Sequence, residues 1–515
     1  MAQETELKLL LQARDLPRLL AHPLLAAQKP LRQRLLNTYF DTPELALMAR
    51  RIAVRERRVG GRTLLTVKTA GTSVGGLSRR GEWEGPTRPG APDFMALVSD
   101  AALAQALTAL SGQLLPLFRT DFTRRSWLVG HGRAQIEVAL DQGTITTGHT
   151  PTHPQGTRSE PILELELELK NGPVEALFAL AQALALGQRG DAATGLWLLP
   201  SDRSKAERGL ALFQRRPLAP LKAQAPALRP GMHALEAFRA TAQDSLVHLQ
   251  ANLVGLLQPR ATGVLADPEF VHQARVALRR LRTGLSLFRA HLPRRLVDHW
   301  AARWKTAATA LADTRNWDVL DERLLQWLTD RAAHGHAPDG WAPLAQWVLA
   351  QRLAAHRQLA EHLQQPAQAL DLLAFAEALQ ALPQQADKPG GHGLADWAAD
   401  TLRQRQDRLR KQARRAHTLD MEGLHALRIR LKKLRYTQGF LQGLLSPELE
   451  RSTPVLERAQ ETLGTLNDLV TVQGLLQACP LADARLWCRQ LRRQQARILQ
   501  SLPQLQQALR ELPAP

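Results

Sequence analysis

The sequence has little cysteine and no long apolar run. Two thiols in 515 residues, Cys479 and Cys488, are too few for a disulfide scaffold, and their spacing fits no zinc-binding pattern. No apolar stretch is long enough to span a bilayer. The first residues include Glu4 and Glu6, where a signal peptide would be apolar. These absences predict a cytoplasmic protein without a membrane partner.

Acidic residues are fewer than basic ones. The chain has 67 Lys and Arg against 48 Asp and Glu, a net charge of +19. The excess of basic residues is spread over the whole chain. Residues 1–225 carry 29 basic and 21 acidic side chains, and residues 226–515 carry 38 basic and 27 acidic ones. A charge of this sign favours an anionic partner. No nucleic-acid-binding motif is visible, so a phosphate compound is favoured over nucleic acid.

The first part of the chain is organised around residues 4–8. In a β-strand, Glu4, Glu6 and Lys8 share one face, because successive side chains alternate. One such run is typical of a solvated edge strand. However, the alternation recurs in at least four later runs, and residues 163–170 follow it most strictly, with leucines on one face and three glutamates on the other.

Strands of this kind at hairpin spacing form either an open sheet with a wet side or a closed barrel with a charged lumen. Closure would also remove the exposed strand edges. Acids in the lumen can bind hard divalent cations through oxygen, and bases can bind phosphate oxygens. The pattern therefore predicts a site for a metal ion together with a phosphate compound.

Together these motifs resemble the CYTH, or triphosphate tunnel metalloenzyme, family over about residues 1–213. The Glu-x-Glu-x-Lys opening is the signature of that family. The other matching positions are Arg55, Arg57, Lys68, Glu82, Glu84, Arg124, Glu164, Glu166 and Lys205. The resemblance implies an α+β multidomain protein whose N-terminal domain is an eight-stranded antiparallel β-barrel tunnel.

The resemblance also implies divalent-metal-dependent chemistry at a triphosphate, with Mg²⁺ or Mn²⁺ as cofactor. The residues implied in catalysis are Glu4, Glu6 and Lys8. The implied metal ligands are Glu4, Glu6, Glu164 and Glu166. Because Glu168 shares a strand face with Glu164 and Glu166, the choice of two ligands among these three glutamates stays open. The implied triphosphate-binding residues are Lys8, Arg55, Arg57, Lys68, Arg124 and Lys205.

A proline-rich segment, residues 214–231, is predicted to link this domain to a second one. Residues 232–513 are rich in Ala, Leu, Gln and Arg and are predicted to be helical. They contain an internal repeat, because residues 271–282 return as 424–435. A duplicated unit of about four helices explains the repeat.

Each copy of the repeated helix carries a row of basic residues beside its apolar face. A row without interleaved acids favours an anion-binding surface over a merely solvated face. The rows are His272, Arg275, Arg279 and Arg282 in the first copy, and His425, Arg428, Lys432 and Arg435 in the second. Tryptophans at helix-core spacing are predicted to pack rather than to stack on bases; they are Trp300, Trp304, Trp317 and Trp327.

This half resembles the CHAD domain over about residues 230–510. The resemblance implies an all-α domain of two pseudo-symmetric four-helix bundles that binds inorganic polyphosphate, whereas spacing alone indicates only a polyanion. The whole chain is predicted to be an inorganic triphosphatase that cleaves tripolyphosphate to pyrophosphate and phosphate. The alternatives are a nucleoside or thiamine triphosphatase, an adenylate cyclase, or a polyphosphate-binding protein with weak or no hydrolase activity.

Overall fold

Two units make up the structure, a computed structural model, and neither is contiguous in sequence. The first contains Met1–Ala219 and Leu363–Ala381, and the second contains Pro220–His362 and Leu382–Pro515. The residues that the structure describes are 2–148, 157–186, 195–258, 260, 263–334, 341–383, 393–445 and 452–512. The domain limit predicted at residue 513 lies outside these residues.

The strands lie in the first unit, and their sequences alternate apolar and charged residues. Their bounds are β1 Ala2–Leu10, β2 Leu31–Asp41, β3 Ala53–Val59, β4 Arg62–Lys68, β5 Thr72–Val74, β6 Leu77–Pro86, β7 Leu115–His131, β8 Ala134–Thr147, β9 Arg158–Asn171 and β10 Leu199–Pro200.

Eight of these strands close into a barrel. The antiparallel order is β1-β9-β8-β7-β2-β3-β4-β6, and β6 pairs back onto β1. The short strands β10 and β5 extend β1 and β6. The closed eight-stranded antiparallel barrel, followed by a helical region, confirms the fold class predicted from the sequence.

The helices run in chain order through both units. Those of the first unit are α1 Leu16–Leu20, α2 Pro23–Ala26, α3 Ala46–Ala49, α4 Phe94–Leu97, α5 Ala101–Leu110, α6 Glu175–Ala185 and α7 Lys205–Phe213. The second unit begins with α8 Ala234–Leu257, α9 Pro268–Leu287, α10 Arg294–Ala310, α11 Ala312–Ala333 and α12 Ala342–Leu363. Helix α13, Pro366–Gln380, belongs to the first unit. The remaining helices are α14 Leu394–Ala413, α15 Met421–Leu441, α16 Thr453–Leu476, α17 Ala482–Gln500 and α18 Leu502–Arg510.

The charged face of the strands turns into the barrel. Arg124 of β7 pairs with Glu166 of β9, although β8 lies between these strands. Glu4 of β1 pairs with Lys68 of β4 across β6. Pairs between strands that are not neighbours form on the concave side of a closed sheet. The apolar face therefore lies outside, where α6 packs against β1 and β9.

Helix α7 brings two basic side chains to the barrel. The Ser204 hydroxyl accepts a hydrogen bond from the Glu207 backbone N–H, and the Glu207 carboxylate accepts one from the Ser204 N–H, so the helix starts at Lys205. Lys205 and Arg208 are three residues apart, share one face and are both buried. Apolar residues of α7 pack against inner-face side chains of the barrel, among them Leu35, Tyr39, Phe118, Phe122, Ile145 and Ile162.

Replacing Gly209 by alanine is expected to destabilise the barrel unit. The added Cβ would lie 2.1 Å from the ring of Phe118, which stacks on Tyr39 with 4.6 Å between ring centroids. Overpacking of this kind costs about 1–3 kcal/mol. Thermal unfolding followed by tryptophan fluorescence measures the change. In Gly130→Ala the new Cβ has no neighbour within 4 Å, so this control should melt with the native protein, and equal melting of both variants would contradict the predicted clash.

Helices from both copies of the internal repeat share a core in the second unit. Residues of α11 and α12 pack with residues of α16 and α17 in one buried cluster, and α9 contacts α15. Trp300, Trp304 and Trp317 are buried and Trp327 packs against the shared core, which confirms the predicted packing role of these tryptophans. No described helix is both long and apolar enough to cross a membrane.

Candidate functional site

A buried carboxylate cluster lies on the inner face of the barrel. Asp141 of β8 and Glu164 of β9 are opposite each other in register, and Glu166 follows two residues along the same face. One oxygen from each of the three lies within 4.8 Å of the other two, which suits a hard cation that prefers oxygen ligands. We call Asp141, Glu164 and Glu166 the carboxylate cluster.

Basic side chains surround the carboxylate cluster. Lys205 Nζ lies 2.7 Å from Asp141 Oδ2 and 2.9 Å from Glu166 Oε1, and it also contacts Glu164. Arg124 donates two hydrogen bonds to Asp141, at 2.8 and 2.7 Å, and one to Glu166. The Lys205 ammonium thus contacts all three members of the carboxylate cluster.

Glu4, Glu6 and Lys8 lie on the same inner face, as the alternation of β1 predicts. Lys68 Nζ lies 2.9 Å from Glu4 Oε2, and Arg80 donates to both Glu4 and Glu6. Lys8 Nζ lies 3.8 Å from Glu6 and reaches the carboxylate cluster, 3.6 Å from Glu166 Oε1. Lys8 therefore connects the opening motif to the carboxylate cluster.

Arg55 and Arg57 lie on the opposite wall, beside Glu82 and Glu84. The ion-pair distances are longer here, 3.8 Å from Arg55 to Glu84 and 3.5 Å from Arg57 to Glu84. Arg55 also donates a hydrogen bond of 3.3 Å to the Tyr39 hydroxyl. Its Nε is buried with no hydrogen-bond partner among the described residues, so this guanidinium retains an unused donor.

The inner face shifts the pKa values of its carboxyls. Burial raises the pKa of Glu166, but Lys205, Arg124 and Lys8 outweigh burial and hold it well below its usual value. Burial likewise opposes the effect of Lys68 and Arg80 on Glu4, whose pKa is nevertheless lowered. Both carboxyls are thus ionised at neutral pH, the form in which they can bind a metal ion.

Glu168, the third glutamate of β9, lies outside the carboxylate cluster. It is only partly buried and pairs with Lys170 at 2.7 Å. Burial raises its pKa, whereas the pKa of Glu166 is lowered. The two glutamates therefore sit in different environments although they share one face of one strand.

Three charged residues that contact the predicted site residues were not themselves predicted from the sequence. They are Asp141, Arg80, and Arg208, which donates to Glu160 and Glu164. Asp141 is in phase with Glu137 on β8, and Arg80 is in phase with Glu82 and Glu84 on β6, so the period-two pattern contains the signal for both. No strand pattern predicts Arg208, because its hydrogen bonds to Glu160 and Glu164 depend on how α7 packs against the barrel.

A second concentration of charge lies in the helical unit. His272, Arg275 and Arg279 of α9 face Arg428 and Lys432 of α15. Arg279 Nε donates a hydrogen bond of 2.9 Å to the Tyr436 hydroxyl, which ties the two helices together. Among the described residues, none of these five forms an ion pair with an acid. We call them, together with Arg315 of α11, the basic cluster.

The remaining predicted residues of the two rows lie apart from this cluster. Arg282 is exposed, and Arg435 pairs with Glu457 at 2.7 Å. His425 is exposed and its Nδ1 is 2.9 Å from Asn467 Oδ1. Arg315 was not predicted, because it lies outside both copies of the repeated helix.

Family comparisons agree with this division into a barrel and a helical part. The CYTH domain model matches residues 2–191, and the CHAD domain model matches residues 240–477. The chain joins a CYTH domain to a CHAD domain. Both resemblances inferred from the motifs are thereby confirmed. The carboxylate cluster lies in the CYTH domain, and the basic cluster lies in the CHAD domain.

Two relatives illustrate the similarity. The inorganic triphosphatase of Haemophilus influenzae is 34% identical over 219 residues, which make up 42% of this chain. The match spans 56% of that protein, a little more than half its length. The crystal structure of the CHAD domain from the plant Ricinus communis is 30% identical, with a TM-score of 0.48, and the match covers 58% of this chain and 98% of that one.

Proposed function

We propose that the CYTH domain is a divalent-metal-dependent inorganic triphosphatase and that the CHAD domain binds inorganic polyphosphate. The hydrolase would convert tripolyphosphate to pyrophosphate and phosphate, with Mg²⁺ or Mn²⁺ as cofactor. The cytoplasmic location predicted from the sequence is part of this proposal. The similarity of 219 residues of this chain to a protein named inorganic triphosphatase supports the choice of substrate.

One observation carries the proposal: the bases on the inner face of the barrel are paired with acids, whereas five of the six members of the basic cluster have no such partner among the described residues, Arg315 with Glu322 being the exception. On the inner face of the barrel, each predicted triphosphate-binding base lies within 4 Å of a carboxylate oxygen. In the basic cluster no such acid accompanies His272, Arg275, Arg279, Arg428 or Lys432. A site for a cation and an anion together needs both kinds of group, whereas a site for a polyanion needs only bases.

The donor set of the barrel fits a divalent metal ion. Asp141 and Glu164 are fully buried carboxylates and Glu166 is nearly so, and oxygen ligands of this kind suit Mg²⁺ and Mn²⁺. These three residues, with Glu4 and Glu6 as the predicted partners from β1, would hold the ion. A bound divalent ion would neutralise phosphate charge and polarise an attacking water.

The basic side chains would then bind the triphosphate. Lys8, Arg124 and Lys205 now pair with Asp141 and Glu166, and they would be available to bind phosphate oxygens when those acids serve as metal ligands. Arg55 and Arg57 are held more loosely by acids and face the same lumen, so they are suited to the far phosphate group. Catalysis would consist of positioning and charge stabilisation, as phosphoryl transfer requires.

Measuring phosphate release from tripolyphosphate, ATP and thiamine triphosphate tests this function. With Mg²⁺ or Mn²⁺ we expect kcat/KM for tripolyphosphate to exceed that for either alternative by at least about tenfold, because extra groups on the phosphate must be accommodated in the barrel. A chelator should stop the reaction. Faster turnover of ATP or thiamine triphosphate would favour those substrates. No release with any metal, while polyphosphate still binds, would identify a binding protein instead.

A further inference from the structure

We propose that Asn37 of β2 is a positioning residue that aims Arg57 of β3 at the phosphate groups of a bound triphosphate. Asn37 would hold this arginine in place without neutralising its charge. The inference rests on the proposed triphosphatase function of the barrel and adds to that site a residue that is neither acidic nor basic.

The first reason is the hydrogen bonding of the Asn37 side chain. Its Oδ1 accepts a hydrogen bond of 2.9 Å from Arg57 Nε, and its Nδ2 donates one of 2.8 Å to Thr120 Oγ1. Asn37 is opposite Arg57 in the register of β2 with β3, and opposite Thr120 in the register of β2 with β7. Because Arg57 Nε can only donate, the amide oxygen has to face it. The amide is thus held between two neighbouring strands.

The burial of this amide indicates that it serves more than packing. Asn37 and Thr120 are completely buried, and Asn37 lies in phase with the buried side chains of Leu35 and Tyr39 on β2. Burying an amide is costly unless its hydrogen bonds are made, and an apolar side chain would fill a core position at no such cost. What Asn37 supplies beyond packing is therefore an acceptor for Arg57.

The second reason is that a neutral acceptor leaves the charge of Arg57 available. The carboxylate paired with Arg57 is that of Glu84, whose Oε2 lies 3.5 Å from Arg57 Nη1, which is longer than an ordinary hydrogen bond. The same oxygen already accepts a hydrogen bond of 2.7 Å from Thr66 Oγ1. A guanidinium fixed at Nε can still use its terminal N–H groups, and pairs of such groups bind phosphate oxygens well.

Arg57 is placed to hold a phosphate group away from the metal ligands. In the closed order of eight strands, β3 is four strands from β9 in both directions, so Arg57 lies across the lumen from Glu164 and Glu166. A base on that wall would bind the substrate and the transition state about equally, because it would not touch the reacting atoms. Loss of its alignment should therefore raise KM and change kcat little.

Steady-state hydrolysis of tripolyphosphate at saturating Mg²⁺ or Mn²⁺ tests the inference. Asn37→Asp replaces the neutral acceptor by a carboxylate of the same size, which would neutralise Arg57. We expect KM to rise by at least about tenfold, with kcat within about threefold of the native value. Asn171→Asp makes the same change at the exposed end of β9 and should behave as the native protein. An unchanged KM in Asn37→Asp would overturn the inference and leave the proposed function standing, whereas no hydrolysis by the native protein would overturn both.

A comparison of two backgrounds separates positioning from a structural role. Asn37→Ala removes the acceptor and should raise KM by about tenfold in the otherwise native chain. In an Arg57→Met background KM is already raised, and adding Asn37→Ala should change it by less than about twofold, because no guanidinium is left to position. Equal increases of KM in both backgrounds would show that Asn37 acts through packing and not through Arg57, and would overturn the inference.

Discussion

Replacing Glu166 by glutamine is expected to lower kcat for tripolyphosphate hydrolysis by at least about hundredfold. Glu166 contacts Arg124, Lys205 and Lys8 and belongs to the carboxylate cluster, so the change removes a metal ligand and the partner of three cations. The half-saturating concentration of Mg²⁺ or Mn²⁺ should rise as well. Steady-state phosphate release, measured across a range of metal concentrations, reports both quantities.

Glu168→Gln is the matched control. Glu168 lies two residues further along the same face of β9 but pairs with Lys170 and lies outside the carboxylate cluster. The same chemical change should leave kcat within about threefold of the native value, as expected for a partly exposed ion pair. If Glu168→Gln were the damaging change and Glu166→Gln the mild one, the choice of metal ligands among the three glutamates would be wrong.

Reversing the charge of Arg275 and Arg428 together is expected to weaken polyphosphate binding by at least about hundredfold. These residues come from the two copies of the internal repeat and meet in one cluster without an acidic partner. Two glutamates would repel the polyanion and would also pair with the remaining bases. Binding is measured by titration with long-chain polyphosphate. Tripolyphosphate turnover should be unchanged, because neither residue lies in the barrel.

The double variant Arg282→Glu and Arg435→Glu provides the control. It changes the net charge by the same amount at two residues of the same predicted rows. The structure places these residues outside the basic cluster, one exposed and one paired with Glu457. Binding should weaken by no more than about fivefold, the effect of a charge at the rim of a site. Equal losses in both double variants would mean that net charge alone governs binding and would contradict a defined site.

The charged face of the strands was predictable because a strand has a period of two, whereas the closed barrel followed from the resemblance to the CYTH family. Glu4, Glu6 and Lys8 could be assigned to one face from the sequence alone, and the structure places them there. The two rows of basic residues followed in the same way from helical spacing. Local periodicity assigns a side chain to a face of its own element, and it does so without knowledge of the rest of the fold.

The periodicity of a sequence does not show which faces of different helices and strands pack together. Arg282 and Lys432 belong to rows of the same kind, yet only Lys432 lies beside Arg275, Arg279 and Arg428. Likewise Glu166 and Glu168 share a face, but only Glu166 is contacted by Lys205 of α7, Arg124 of β7 and Lys8 of β1. Asp141 was visible in phase on β8, but its importance depends on the register of β8 with β9. These distinctions arise from tertiary packing, which no local pattern records.

Helix α13 has a practical consequence for anyone who divides this protein. It lies more than a hundred residues beyond the proline-rich segment, yet it packs against α6 and β10 and belongs to the unit of the barrel. Trp197 Nε1 also donates a hydrogen bond to the carbonyl of Leu363, just before this helix. A fragment that ends at the proline-rich segment would lack α13 and would expose the surface of α6 and β10 that this helix covers. Expression of the barrel unit alone should therefore include residues 363–381, supplied as a fused or separate segment.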